Sequence, residues 1–171
     1  MPADRQITLR SARTGDVPAI RALVEPLAQE RVLLQKEAVA YYEAIQEFVV
    51  AEDAEGALAG FGALHVMWQD IAEVRTLAVS RDHRGAGVGH LLLDELLDRA
   101  RAVGVERVFC LTFEVEFFRR HGFAVMADQS AVDPEVYAEL LRSTDEGVAE
   151  FLDLARVKPN PLGNTRMIRT L

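Results

Sequence analysis

The sequence predicts an α/β fold of the α+β kind, a central sheet flanked by helices. Three observations carry this. Apolar runs that alternate every two residues take turns with stretches of helical period, in the order βααβββαβαβ before a last helix and strand. A glycine-rich turn, Arg84-Gly85-Ala86-Gly87-Val88-Gly89, joins an apolar strand to an amphipathic helix. The chain has 171 residues and is half apolar, ample for a single core.

Ile7 to Ala12 alternates like a strand, with Ile7, Leu9 and Ser11 on one face. Thr14-Gly15-Asp16 then offers capping oxygens, and Val17, Ile20, Leu23, Val24 and Leu27 recur at helical spacing to about Gln29. Pro18 sits in the first turn, where its missing N–H costs little. Glu30 to Lys36 breaks the pattern with an apolar pair between charged ends. A second helix is expected from Glu37 to about Gln46, with Val39, Tyr42 and Ile45 on one side. Phe48 to Ala51 and Leu58 to Met67 read as an antiparallel pair across Asp53-Ala54-Glu55-Gly56. Gly60 and Gly62 weaken the second of these strands and point to a close approach at its surface.

The fourth strand, Ile71 to Val79, carries Glu73, Arg75, Leu77 and Val79 on one face by the two-residue period. In the helix from about Gly87 to Val103, Val88, Leu92 and Leu96 form one row and Leu93, Leu97 and Ala100 its neighbour. That is a wide stripe for the sheet, with Gly104 as C-terminal cap. Arg107 to Phe113 is a fifth strand, Glu114 to His121 a short helix stopped by Gly122, and Phe123 to Met126 a sixth strand. Pro134 to Arg142 reads as another helix. The tail from Val157 is a loop that ends in a strand at Thr165 to Thr170.

A net charge of -8 argues against nucleic acid as a partner, and requires that any anionic ligand be held by local positive groups. One cysteine excludes an internal disulfide framework and fits a reducing cytosol. The start, MPADRQITLR, lacks the apolar core of a signal peptide, and no stretch is long and apolar enough for a membrane span. A cytoplasmic protein without membrane attachment is expected. The four histidines show no ligand spacing, so no metal is expected.

The glycine turn reads as a phosphate cradle. Glycines let backbone amides approach an anion, and a helix that starts straight afterwards adds unpaired N–H groups and the positive end of its dipole. Arg81, His83, Arg84 and His90 crowd the same turn. A dinucleotide site would want G-x-G-x-x-G with an acidic residue further on, whereas here the spacing is G-x-G-x-G after an arginine. A P-loop would need Gly-Lys-Ser/Thr, which is missing. The pattern that holds is R-x-x-G-x-G, as Arg84, Gly87 and Gly89, behind Leu77-Ala78-Val79. It resembles the acetyl-CoA pyrophosphate loop of the GNAT superfamily of N-acetyltransferases.

That resemblance implies one GNAT domain over residues 1–171, with a mixed, mostly antiparallel sheet of about six or seven strands. It implies acetyl-CoA as co-substrate, held by Leu77, Ala78 and Val79, by Arg84, Gly85, Ala86, Gly87, Val88, Gly89 and His90, and by Arg120 on the short helix beside Arg119. Most of the chain further resembles the N-acetylglutamate synthases, closest to their short stand-alone bacterial form. The matching runs include Arg10-Ser-Ala-Arg with Asp16-Val-Pro-Ala-Ile, Leu33-Leu34-Gln35-Lys36, and Ile45-Gln46-Glu47-Phe48-Val49-Val50-Ala51-Glu52. They continue through Gly62-Ala63-Leu64, Glu73, Val108-Phe109-Cys110-Leu111-Thr112, Phe117-Phe118, Gly122-Phe123 and Thr165-Arg166-Met167. Residues 128–164 lie outside the resemblance. No amino-acid-kinase-like domain precedes it, so regulation by arginine through such a domain is not implied.

The implied reaction is attack of the α-amino group of L-glutamate on acetyl-CoA, the first step of arginine biosynthesis. L-glutamine stands beside glutamate as acceptor. The alternative acceptors are a protein N-terminus or lysine, or a polyamine, and a homodimer is left open. An ammonium must lose a proton before it attacks, and Glu73 sits where glutamate-based relatives carry the base. Its competing role is ion-pair partner of Arg75. Backbone N–H groups near Leu77 and Ala78 are the family's oxyanion donors. Many relatives protonate the departing thiolate with a tyrosine where this chain has Phe118, which leaves water, another group such as Tyr41 or Tyr42, or an unprotonated thiolate. Two substrate carboxylates call for two cations, and Lys36 and Arg75 are favoured, with Arg166 third. Cys110 as acyl carrier is disfavoured against a small buried hydrophobe, and His65 and His121 are read as structural.

Overall fold

The computed structural model describes residues 6–30, 36–126, 132–152 and 164–171. Seven strands are described: β1 (Thr8–Ser11), β2 (Phe48–Glu52), β3 (Leu58–Trp68), β4 (Ile71–Val79), β5 (Arg107–Thr112), β6 (Ala124–Val125) and β7 (Thr165–Thr170). The helices are α1 (Val17–Gln29), α2 (Ala38–Glu43), α3 (Val88–Val103), α4 (Val115–Arg120), α5 (Pro134–Leu140) and α6 (Glu146–Phe151). The strand order is β1-β2-β3-β4-β5-β7-β6. Every strand pairing for which a register is given is antiparallel except β4 with β5, which α3 connects as a crossover helix. The residues divide into two compact units, one within Met1–His65 and Val74–Arg99, the other within Val66–Glu73 and Ala100–Leu171.

In the first unit β1 pairs with β2 from Thr8↔Glu52 to Ser11↔Val49, and β2 with β3 from Phe48↔Ala63 to Ala51↔Gly60. The helical period of α1 buries Val17, Ile20, Val24 and Leu27 against Phe48, Val50, Phe61, Ala63 and Ala78. Each such side chain contributes about 1.5–3 kcal/mol on burial. Packing therefore outweighs Pro26, which sits inside α1 and would cost an isolated helix about 3 kcal/mol. Gly60 and Gly62 do mark a close approach, and what approaches is protein. A Cβ at Gly60 would lie 2.7 Å from the Ala78 carbonyl oxygen, and one at Gly62 would lie 2.9 Å from Leu96 of α3.

In the second unit β5 pairs with β7 from Arg107↔Thr170 to Thr112↔Thr165, and the start of β4 runs parallel to β5 from Ile71↔Arg107 to Glu73↔Phe109. Its core gathers Met67, Ile71, Phe109, Leu140, Val148, Phe151 and Leu152. The last three come from α6 and the residue after it, an element that no sequence expectation covered. Asp145 caps it by accepting the Val148 N–H at 3.1 Å.

Three local expectations need correction. The oxygens of Thr14-Gly15-Asp16 do not cap α1; those residues form a 3-10 turn, and Asp16 instead accepts the Arg13 N–H and binds Arg10. The second helix stops at Glu43, followed by a 3-10 turn at Ile45–Glu47. It buries Tyr41 (2% exposed) and leaves Val39 (59%) and Tyr42 (45%) out. So short a helix is oriented by its best single contact, here the Tyr41 ring against Phe48 at 5.9 Å, and not by a stripe. The loop before Thr165 lies largely outside the described residues. None of the described helices is long and apolar enough to cross a membrane.

Candidate active site

The turn between β4 and α3 is built from backbone geometry. The Ser80 N–H donates to the Ala59 carbonyl at 2.8 Å, His83 N–H to Ser80 at 3.1 Å and Ala86 N–H to His83 at 3.3 Å. Gly85 and Gly87 both have φ +78°, the left-handed region that side chains resist. A Cβ at either would meet nothing within 4 Å. Conformation, not crowding by neighbouring protein, therefore demands glycine, and the space in front of the turn is open. The Leu91 N–H bonds to the Gly87 carbonyl at 3.1 Å, so the preceding amides of the first turn of α3 have no intrahelical acceptor. Successive outward amides at the positive end of a 16-residue helix suit an anion.

The side chains around the turn are more differentiated than its basic composition suggests. Arg84 and His90 are exposed, but Arg81 is ion-paired with Glu30 and His83 is buried, facing Asp53 and Ser80. Beside Arg84, a pocket of about 310 Å³ is floored by Ala22, Leu23 and Pro26 of α1 with Leu58 and Val79, a size at the small end for ligand sites.

Strand β4 carries a backbone irregularity that its sequence does not announce. Thr76 has φ +57°, the one non-glycine residue of positive φ among those described. For a β-branched residue this is an outlier, held only because its surroundings over-determine it. It breaks the two-residue period, so counting no longer places Leu77 and Val79 on the face of Glu73 and Arg75. Leu77 lies against Gly62, while Ala78 enters the core under α1.

Glu73 is 7% exposed, on the part of β4 that pairs with β5, opposite Phe109. Burial, and secondarily the Glu73 carboxylate, push the Cys110 thiol above its ordinary range. A thiol so held is a poor nucleophile at neutral pH. Ellman's reagent should accordingly leave Cys110 unmodified in the native protein, and Cys110→Ala should keep turnover within about twofold. A stoichiometric acetyl-enzyme on Cys110 would contradict this.

The first unit holds Lys36, Arg75, Leu77 to Val79 and the glycine turn; the second holds Glu73, Arg120 and Arg166. Lys36 Nζ donates to Thr76 Oγ1 at 3.4 Å, which brings it beside Arg75 in the chain. Arg166 donates to the Phe151 carbonyl at the end of α6. Arg119 is paired with Glu116, while Arg120 is exposed on α4. Phe118 is buried and packs edge-on to Phe123 at 5.1 Å. His65 contacts Glu47 at 2.6 Å, and the His121 carbonyl accepts from Arg169 at 2.6 Å. Tyr41 is buried, and burial pushes its hydroxyl above its usual range. Among the described residues no group of three His, Cys, Asp or Glu side chains could hold a metal ion.

Sequence reasoning passed over Thr76, and also Asp53 and Ser80 as partners of His83. Only Asp53, in an acidic turn closed by Gly56, left a trace in the sequence, and that trace spoke of a hairpin.

The model of the acetyltransferase (GNAT) family matches residues 19–123. An amino-acid acetyltransferase of Mycobacterium tuberculosis is 52% identical over 99% of this chain and 98% of its own length. One from Neisseria meningitidis is 34% identical over 71% of this chain, which spans only 28% of that longer protein. Among solved structures, a Mycobacterium tuberculosis protein in complex with CoA and NLQ superposes with a TM-score of 0.89 and 53% identity. That match covers 96% of this chain and 99% of the other. N-acetylglutamate synthase from Neisseria gonorrhoeae, complexed with coenzyme A and N-acetyl-glutamate, gives a TM-score of 0.77 and 27% identity. It covers 97% of this chain and 35% of the larger protein.

Proposed function

Because this chain belongs to the acetyltransferase (GNAT) family, we propose that it moves the acetyl group of acetyl-CoA to the α-amino group of L-glutamate. The enzyme class, an acetyl-CoA-dependent amino-acid N-acetyltransferase, follows from the family and from a relative of that name over the whole chain. The glutamate acceptor, and with it the first step of arginine biosynthesis, is our reading. N-acetylglutamate synthase complexed with N-acetyl-glutamate is a structural relative, which supports it. The observation that carries it is the approach of Lys36 to Thr76, beside Arg75. Two cations at one strand suit a dicarboxylate and would repel a polyamine.

In this reading Glu73 takes a proton from the incoming ammonium, directly or through one water, and the freed amine attacks the thioester carbonyl. The backbone N–H groups near Leu77 and Ala78 hold the oxyanion, and the amides at the start of α3, from Gly87 to His90, with Arg84, hold the diphosphate. Val79 lines the approach and Arg120 reaches the nucleotide end of the co-substrate. As the C–S bond breaks the electron pair leaves on sulfur, and the second proton that the nitrogen loses in becoming an amide passes through water to the solvent or to the departing thiolate. Phe118 has no proton to give, so the thiolate departs as such or takes one from water.

A thiol-release assay over L-glutamate, L-glutamine, spermidine and a peptide N-terminus tests the acceptor. The highest kcat/KM is expected with glutamate. Turnover of spermidine or the peptide with none of glutamate or glutamine would contradict it. Lys36→Ala should raise KM for glutamate about tenfold and leave KM for acetyl-CoA unchanged, since one charge-assisted contact is worth about 1.5–3 kcal/mol.

A further inference from the structure

Two left-handed glycines make the β4–α3 turn a good cradle and a poor scaffold. Glycine loses more conformational freedom on ordering than any other residue, so the turn needs something outside itself to hold it. His83 supplies that. It is 8% exposed, the one buried residue of the 3-10 turn Arg81–His83, and sits directly before Arg84. Its Nδ1 lies 2.6 Å from Ser80 Oγ and its Nε2 3.1 Å from Asp53 Oδ2. Asp53 belongs to the turn between β2 and β3, where its other oxygen, Oδ1, accepts the N–H groups of Ala57 at 2.8 Å and Glu55 at 3.1 Å. Those amides and His83 hold its carboxyl below the usual carboxylate range. An ionised Asp53 accepts a hydrogen bond from Nε2–H, and Nδ1 shares a hydrogen bond with the Ser80 hydroxyl at the other end of the ring.

We propose that His83 is a positioning residue for acetyl-CoA, a buried strut from the β2–β3 turn that sets the outward amides of the glycine turn before the diphosphate arrives. The backbone fits this role. Three backbone bonds fold the turn, His83 N–H to Ser80, Arg84 N–H to Arg81 and Ala86 N–H to the His83 carbonyl, and His83 is the residue that the first and the last share. A side chain fixed at that joint orients both, and Ser80 is itself tied to β3 through Ala59. Removing the ring leaves Gly85 and Gly87 to be ordered by the ligand, which spends binding affinity on ordering. The inference rests on reading the turn as the diphosphate site. It does not depend on which amine is acetylated.

Calorimetric titration with CoA and with ADP, which shares the diphosphate but has no pantetheine arm, tests it alongside steady-state kinetics. His83→Ala should weaken both ligands about tenfold and raise KM for acetyl-CoA equally, with kcat at saturation and KM for the acceptor changing far less. His83→Gln, which keeps a donor able to reach Asp53, should recover most of the affinity. If His83→Ala fails to fold, Ser80→Ala removes the other end of the strut and should weaken CoA about threefold. CoA affinity unchanged in His83→Ala, or in Ser80→Ala where that substitutes for it, would overturn the proposal while leaving the acetyltransferase reading intact. Wild-type protein that binds neither CoA nor ADP would remove both. A loss of kcat with unaltered affinity would also overturn it, because it would place His83 in the chemistry instead.

Discussion

Glu73→Gln is expected to lower kcat by about 10²- to 10⁴-fold at neutral pH, the range of a positioned general base, and to leave KM for acetyl-CoA within about twofold. Glutamine keeps the size and hydrogen-bonding capacity of a buried side chain that is only 7% exposed, so the fold should persist and the effect should be chemical. The sign of its pH dependence is a second check. The substrate amine arrives mostly protonated, and the variant can use only the neutral fraction. Its turnover should therefore climb as pH rises towards the amine's own pKa, while the wild type levels off earlier. Near wild-type turnover at neutral pH would remove Glu73 as the base.

The second large effect is on binding. Gly87→Val should raise KM for acetyl-CoA by roughly ten- to hundredfold. A left-handed L-residue costs about 1–2 kcal/mol, a β-branched one more, and each 1.4 kcal/mol is tenfold. At φ +78° the valine must either hold that strain or shift the turn. A Cβ there meets no protein atom within 4 Å, so its methyl groups would stand in the open space before the amides. Gly87→Ala should lie between the two, and kcat at saturation should change far less than KM in both. Equal KM values in wild type and Gly87→Val would mean that the diphosphate does not sit there.

Much of this architecture was legible from period and punctuation. The double row of Val88, Leu92, Leu96 and Leu93, Leu97, Ala100 is buried as the helical spacing requires, and Gly104 (φ +90°) and Gly122 (φ +82°) stop the helices before them. The strand at Thr165–Thr170 stands where the sequence puts it, and the glycine turn announces its shape. What was not legible depends on partners far along the chain. His83 reads as one more cation of a basic turn, and only contact with Asp53, thirty residues earlier, makes it a strut. Nothing in Arg75-Thr76-Leu77 signals a left-handed threonine, because β-branched residues favour extended backbone and only packing overrides that preference. The face of α2 was misread for a related reason: in six residues Val39, Tyr41 and Tyr42 compete for one contact. Arg166 is the third candidate substrate ligand in the sequence, which gives no sign that its guanidinium reaches the end of α6.

The central claim is that the amides from Gly87 to His90 grip the diphosphate of acetyl-CoA. A crystal structure of the protein with CoA and L-glutamate tests it most directly. The account predicts diphosphate oxygens about 2.7–3.2 Å from those backbone nitrogens, with the turn unmoved. Coenzyme bound with its diphosphate away from the turn, and the amides still facing solvent, would contradict it.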